Sequence, residues 1–184
     1  MSQHHEKWMR YMQERRGDYA FRSTTRYRSV ACELQAMGLN DSHIIVDVGA
    51  GSCQFDHYLR TELGWCGRYL PVDAVLDGTD LETWTPKMPA DFFVCIEVLE
   101  HLVNPWGLMN AMQDMARIGV VATTPNPATV DVLACDPTHV TPIPATAFWL
   151  RGWHVQAESL FGKNGDTLVA HYSVDKAMAA GVGF

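Results

Sequence analysis

Apolar positions along this chain follow two alternating rhythms. Residues 43–48 (HIIVDV), 91–96 (DFFVCI) and 118–124 (IGVVATT) are short runs of branched and aromatic residues with few polar interruptions, and each predicts a buried strand. Residues 68–72 (RYLPV) predict another. Between them the spacing turns helical. Residues 53–63 predict a helix ended by Gly64, and 104–116 a helix opened by Asn104-Pro105, a cap residue followed by proline in the first turn. Upstream, 5–16 and 22–37 read as two helices, broken at Gly17-Asp18 and stopped at Gly38. Downstream come a short helix at 144–151 and a closing hairpin, 154–161 with 167–173. Strands alternating with helices, and apolar on both faces, imply a mostly parallel sheet covered on both sides. Ligands of such sheets sit at the carboxyl ends of the central strands.

Composition narrows the class. A chain of 184 residues suits one domain, and 47% apolar with 19% charged residues is a globular composition. No apolar run is long enough to span a bilayer, and the polar start MSQHHEKWMR lacks the apolar core of a secretory signal. The five cysteines form no CxxC pair, so reduced, mostly buried thiols in a cytoplasmic protein are expected. The net charge is −7, yet residues 1–30 carry seven Lys or Arg against three acids. Such a basic arm is one feature that could meet phosphate, as in RNA; a solvated helical face is the simpler reading.

The chemistry concentrates in two places. In VDVGAGSCQF (46–55), Gly49 and Gly51 follow a strand directly, which lets the backbone turn tightly and leaves room for a ligand. Asp47 can order that turn and accept a hydrogen bond from a ligand amine. Gln54 stands where a dinucleotide fingerprint needs its third glycine, which argues against a nicotinamide oxidoreductase. Asp73 ends the next strand, where a carboxylate can take both hydroxyls of a ribose, and Asp80 could reach an adenine amino group. Together these describe an adenosine-bearing ligand with an amino-acid end. The second cluster is Glu97-Val-Leu-Glu100-His101, whose offsets place the two acids and the imidazole on one face of a helical turn. His139 follows the next strand and can close over the same place. Two carboxylates and two imidazoles suit a divalent cation with open positions.

VDVGAG, an acid after the next strand, DFFVCIEVLEHL, VVATTPNP and DPTHVTPI…FWLRGWHV, in that order, resemble a class I S-adenosylmethionine-dependent methyltransferase. The resemblance spans roughly residues 40–173. It is closest to the branch holding the ubiquinone-biosynthesis O-methyltransferases and the small-RNA 2′-O-methyltransferases. It implies a Rossmann-like α/β domain with a seven-strand sheet whose last strand is antiparallel, helices at 1–39 covering the site, and a tail at 174–184. By the resemblance Asp47, Gly49 and Gly51 hold the methionine end of the cofactor, Asp73 the ribose, and Asp80 and Leu81 the adenine, with Cys95-Ile96 beneath. Only six residues separate Asp73 from Asp80, too few for the family's usual helix and strand, so the third-strand region is expected to be reduced. In the small-RNA enzymes an ExxEH motif and a later His bind a metal; Glu97, Glu100, His101 and His139 match, and so does TTPN (123–126). Relatives without metal carry similar residues, so a Mg²⁺- or Mn²⁺-type ion and a plain histidine base both stay open.

These residues lead to methyl transfer from S-adenosylmethionine to an oxygen, with His101 or His139 as base and Glu100 beside them. A small-molecule acceptor is favoured. The chain lacks the His-rich and aromatic signature around the late His of the small-RNA enzymes, which leaves RNA as an alternative. DNA-base methylation is disfavoured, because neither an Asn/Asp-Pro-Pro-aromatic motif nor a Pro-Cys nucleophile follows the central strand. A non-catalytic cofactor-binding subunit is the third reading. The acceptor and the oligomeric state are not legible in the sequence.

Overall fold

The computed structural model describes residues 24–174. The expected helix at 5–16, the basic arm up to residue 23 and the tail from residue 175 lie outside the described residues. The strands are β1 (Ile44–Val48), β2 (Arg68–Val72), β3 (Ala90–Ile96), β4 (Ala116–Pro125), β5 (His154–Glu158) and β6 (Thr167–Ser173). The helices are α1 (Thr24–Ala36), α2 (Gln54–Glu62), α3 (Ala74–Asp77), α4 (Pro105–Met115), α5 (Val132–Cys135) and α6 (Ala145–Trp149), with one 3₁₀ turn at Leu99–His101.

The strands form one sheet in the order β2-β1-β3-β4-β6-β5. β2, β1, β3 and β4 are parallel, and β6 runs antiparallel to both of its neighbours. This is the expected mixed sheet with an antiparallel last strand. It has six strands among the described residues where the resemblance implied seven. The missing one would lie beyond β2, and the segment between α3 and β3 holds only turns, as the short Asp73–Asp80 spacing foretold.

The two-residue period of the strands explains why they read as continuously apolar. In β3, Phe93 and Cys95 enter the core under α4 and α6, while Phe92 and Val94 enter the opposite core under α1 and α2. β1 and β4 divide in the same way, Val46, Val48, Val120 and Ala122 on one side against Ile45 and Val121 on the other. Each fully buried Phe, Leu, Ile or Met contributes about 1.5–3 kcal/mol. Tyr27 of α1 packs on Phe55 and Tyr58 of α2, ring centroids 5.6 and 6.0 Å away, and so docks the helix.

Three expectations change. Asn104 stands at the N-cap of α4, but its side chain makes no cap; the Glu82 carboxylate instead accepts from the N–H groups of Val103 (2.6 Å) and Asn104 (3.3 Å). The cysteines are all free but not mostly buried: Cys32, Cys66 and Cys135 are exposed, Cys53 is half-buried and only Cys95 is buried. Their strand and helix neighbours supply the apolar contacts, so the core does not need them. Two tryptophans near the last helix, Trp149 and Trp153, are by residue type expected in the core or a pocket wall; Trp153 is core, whereas Trp149 is 58% exposed. No helix among the described residues is long and apolar enough to cross a membrane.

Candidate active site

Asp47, the glycine turn, Asp73, Glu97 and Asn126 all lie at or just beyond the carboxyl ends of the parallel strands. The turn after β1 is pinned from below. The N–H groups of Gly49 and Ala50 donate to the Val72 carbonyl at 2.8 and 3.2 Å. Asp73 fastens its far side: one carboxylate oxygen accepts from Gly51 N–H (2.8 Å), the other from Val75 N–H at the start of α3 (2.7 Å). Asp73 therefore shapes the loop and caps α3, the structural role that a lone acid at such a position most often has. Gly49 and Gly51 both have positive φ, 85° and 55°. A Cβ on Gly49 would lie 2.2 Å from Cγ2 of Val98, while a Cβ on Gly51 would meet nothing within 4 Å. The first glycine is needed for packing and the second borders open space.

Asp47 is 2% exposed and accepts a short hydrogen bond from the Tyr69 hydroxyl. Burial raises its pKa to about 7; the Tyr69 bond opposes that, and the charges of Asp73 and Asp56 add to it. Tyr69 is itself pushed upward, by burial first and by Asp47 second. The sequence reading missed Tyr69. The parallel register that pairs Ile45 with Tyr69, and so sets Tyr69 on the face of Asp47, was the signal that could have found it. Asp80 accepts from Glu82 N–H (3.1 Å) and holds the turn that carries Leu81, which packs half-buried on the core. Cys95 is fully buried and Ile96 partly so, on opposite faces of β3.

The second cluster departs from a single helical face. Glu97 ends β3 in the left-handed region, φ 54°, and the 3₁₀ turn starts only at Leu99. Glu97 therefore lies outside the turn that carries Glu100 and His101. Glu97 accepts from the Thr123 hydroxyl (2.8 Å) and lies 3.7 Å from the Arg26 guanidinium. Burial raises its pKa and Arg26 opposes the rise. Glu100 is wholly buried; no group stands at ordinary hydrogen-bond distance from either carboxylate oxygen, although the Thr124 hydroxyl is near enough to oppose the rise in its pKa. Its pKa stands well above the usual range through burial and then the Glu97 charge. His139 brings Nε2 to 3.9 Å from Glu100, and its ring meets that of His101 edge-on, centroids 4.7 Å apart.

The segment carrying His139 is held over this turn by backbone bonds: Val140 and Thr141 N–H donate to the Glu100 carbonyl at 2.9 and 3.1 Å. One ligand atom each from Glu100, His101 and His139 falls within 4.8 Å of the others, and Glu97 stands outside that trio. Buried carboxylate acceptors beside two imidazoles suit a cation or a polar ligand proton. Asn126 of the TTPN match is spent on structure, donating to the Gly165 carbonyl (2.7 Å) and accepting from Ala128 N–H (3.0 Å). Thr123, the first residue of the TTPN match, reaches Glu97, whereas Arg26 was missed because only folding brings α1 to the end of β3.

Solved structures of S-adenosylmethionine-dependent methyltransferases share this fold. A methyltransferase from Archaeoglobus fulgidus superposes with TM-score 0.60 at 16% identity, over 85% of this chain and 100% of that one. A complex of the Haloferax volcanii Trm112 methyltransferase activator with a protein described as a methyltransferase gives 0.68 at 12% identity, over 90% and 95%. The plantazolicin methyltransferase BpumL, in complex with S-adenosylhomocysteine (SAH), gives 0.64 at 12%, over 92% and 93%. Neither a protein-family model nor a curated protein sequence matches the chain.

Proposed function

We propose that this protein transfers the methyl group of S-adenosylmethionine to a hydroxyl oxygen of a small molecule. The observation that carries the reading is the pairing of an open glycine cradle with a fully buried Glu100 beside two imidazoles. Asp47, Gly49 and Gly51 would take the methionine end, Asp73 the ribose, and Asp80 and Leu81 the adenine, with Cys95 and Ile96 as the floor.

The sulfonium is already activated, so the chain's tasks are alignment and proton removal. The acceptor oxygen bonds to the methyl carbon as the carbon–sulfur bond breaks, the sulfonium becomes a neutral thioether, and the acceptor proton passes to His101 or His139. Glu100 holds the resulting imidazolium. Its oxygens and the two imidazoles also fit a divalent cation of the Mg²⁺ or Mn²⁺ kind, which would supply positive charge that acidifies the acceptor hydroxyl. Glu97, tied to Thr123 and Arg26, would support that site from the side.

The resemblance to the ubiquinone-biosynthesis and small-RNA branches supports oxygen as the acceptor atom. Of the two described basic residues before position 30, Arg26 is buried against Glu97 and Arg28 is exposed, so the absence of the small-RNA enzymes' signature around His139 is what favours a small molecule over RNA. The test is SAH formation by the purified protein with phenolic and catecholic acceptors, and with an RNA 3′ end, with and without EDTA. Turnover of a small hydroxyl compound is expected. Turnover with RNA alone would reassign the substrate, and cofactor binding without turnover by any acceptor would favour the non-catalytic reading.

A further inference from the structure

We propose that Asp136 and Thr138 are positioning residues that lock His101 in its Nδ1–H tautomer, so that Nε2 carries the lone pair used in the site. The inference rests on His101 being a residue of the proposed methyl-transfer site, and it adds two residues to which no role has been given.

The geometry is a chain of three groups. Thr138 is buried, 1% exposed, and its hydroxyl oxygen lies 2.9 Å from Nδ1 of His101 and 2.5 Å from Oδ1 of Asp136. The same Oδ1 accepts the Thr138 backbone N–H at 2.8 Å, which marks it as the acceptor end. A hydroxyl has one proton and a carboxylate has none to give. The Thr138 proton therefore points at Asp136, and only a lone pair is left for His101. Nδ1 must then bring the proton, and in the neutral ring the lone pair falls on Nε2.

His139 reaches the same state by a different route. Its Nδ1 lies 2.8 Å from the Val132 carbonyl, which can only accept, so Nε2 again carries the lone pair, 3.9 Å from Glu100. Cys135 sits at 3.4 Å on the Nδ1 side of that ring, away from the Nε2 that approaches Glu100. The two imidazoles thus carry their lone pair on the same nitrogen, beside a fully buried carboxylate. A wrong tautomer on either ring would set an N–H where a proton or a cation must be received. Outer partners that fix a histidine in this way typically change affinity or activity by about 10–100-fold when removed.

The tautomer can be read directly. In full-length protein labelled with ¹⁵N in the histidine rings, without cofactor, metal or acceptor and at alkaline pH, long-range ¹H–¹⁵N correlation separates a protonated ring nitrogen from a bare one. His101 is expected as Nδ1–H in the wild type and in Thr138→Ser. Thr138→Val should shift it toward Nε2–H. Asp136→Ala, which frees the Thr138 hydroxyl to donate inward, should do the same and serves if the valine variant does not fold. Finding His101 as Nε2–H in the wild type, or unchanged in both Thr138→Val and Asp136→Ala, overturns the proposal. Because no ligand is present, absence of SAH binding would sink the methyl-transfer reading and leave this result standing, and the converse holds equally.

Discussion

Gly49 and Val98 are in van der Waals contact across the gap between β1 and the turn after β3: a Cβ on Gly49 would lie 2.2 Å from Val98 Cγ2. The loop proposed to hold the cofactor and the turn proposed to act on the acceptor are therefore packed against each other. Val98 stands between Glu97 and Leu99, so any push on it moves the residues of both clusters.

Gly49→Ala combines left-handed strain with a collision against a β-branched side chain that has little freedom. It should cost about 3 kcal/mol or more of stability, with the loop displaced. Gly51→Ala meets only open space and should cost about 1–2 kcal/mol, for its φ alone. Its methyl group nevertheless enters the cradle, so SAH affinity should fall at least tenfold. Urea unfolding and calorimetry with SAH check both; equal stability losses for the two variants would refute the packing argument.

Asp47 predicts a pH dependence with a definite sign. Its folded pKa of about 7 exceeds its ordinary value of 3.8, so the folded chain holds this proton more tightly. The associated stability is fully present below about pH 4 and is lost as pH rises through about 7, on the order of 4 kcal/mol in all. A cationic ligand favours the ionised form, so S-adenosylmethionine should bind more tightly, with less proton release, as pH rises from 6 to 8. Asp47→Asn should flatten both profiles, which urea midpoints and titrations in buffers of different ionisation enthalpy would record.

Glu100 illustrates function at the expense of stability. A buried carboxyl with no group at ordinary hydrogen-bond distance is costly, and the isosteric amide in Glu100→Gln removes the charge without leaving a hole. The variant should be at least as stable as the wild type at pH 8, with Tm up by about 2–4 °C for each kcal/mol gained in a domain of this size. Methyl transfer should fall at least a hundredfold. A clear loss of Tm would mean that Glu100 is held by partners not seen here.

Glu82 caps a helix it does not belong to. Glu82→Ala removes the acceptor for Val103 and Asn104 N–H and should cost about 0.5–2 kcal/mol. Glu82 follows Asp80 and Leu81, so adenosine affinity should weaken as well. Denaturant unfolding and adenosine titration test the two effects separately.

The local and the periodic were legible in the chain. Strands β1, β2, β3, β4 and β6 fall within about two residues of their expected bounds, because burial on both faces writes an unbroken apolar run. The glycine turn and the acid after β2 follow from spacing, and the shortened third-strand region from that spacing set against the resemblance. Tertiary structure decided the rest. It set Asp73 to fastening the loop, placed Tyr69 on Asp47, put Glu97 in the left-handed region ahead of the turn that carries Glu100, and brought Asp136 and Thr138 to His101. A backbone angle at one residue and contacts between side chains up to 37 positions apart leave no periodic trace. They exist only once the sheet has closed and the loops at its carboxyl end share one small, poorly solvated space.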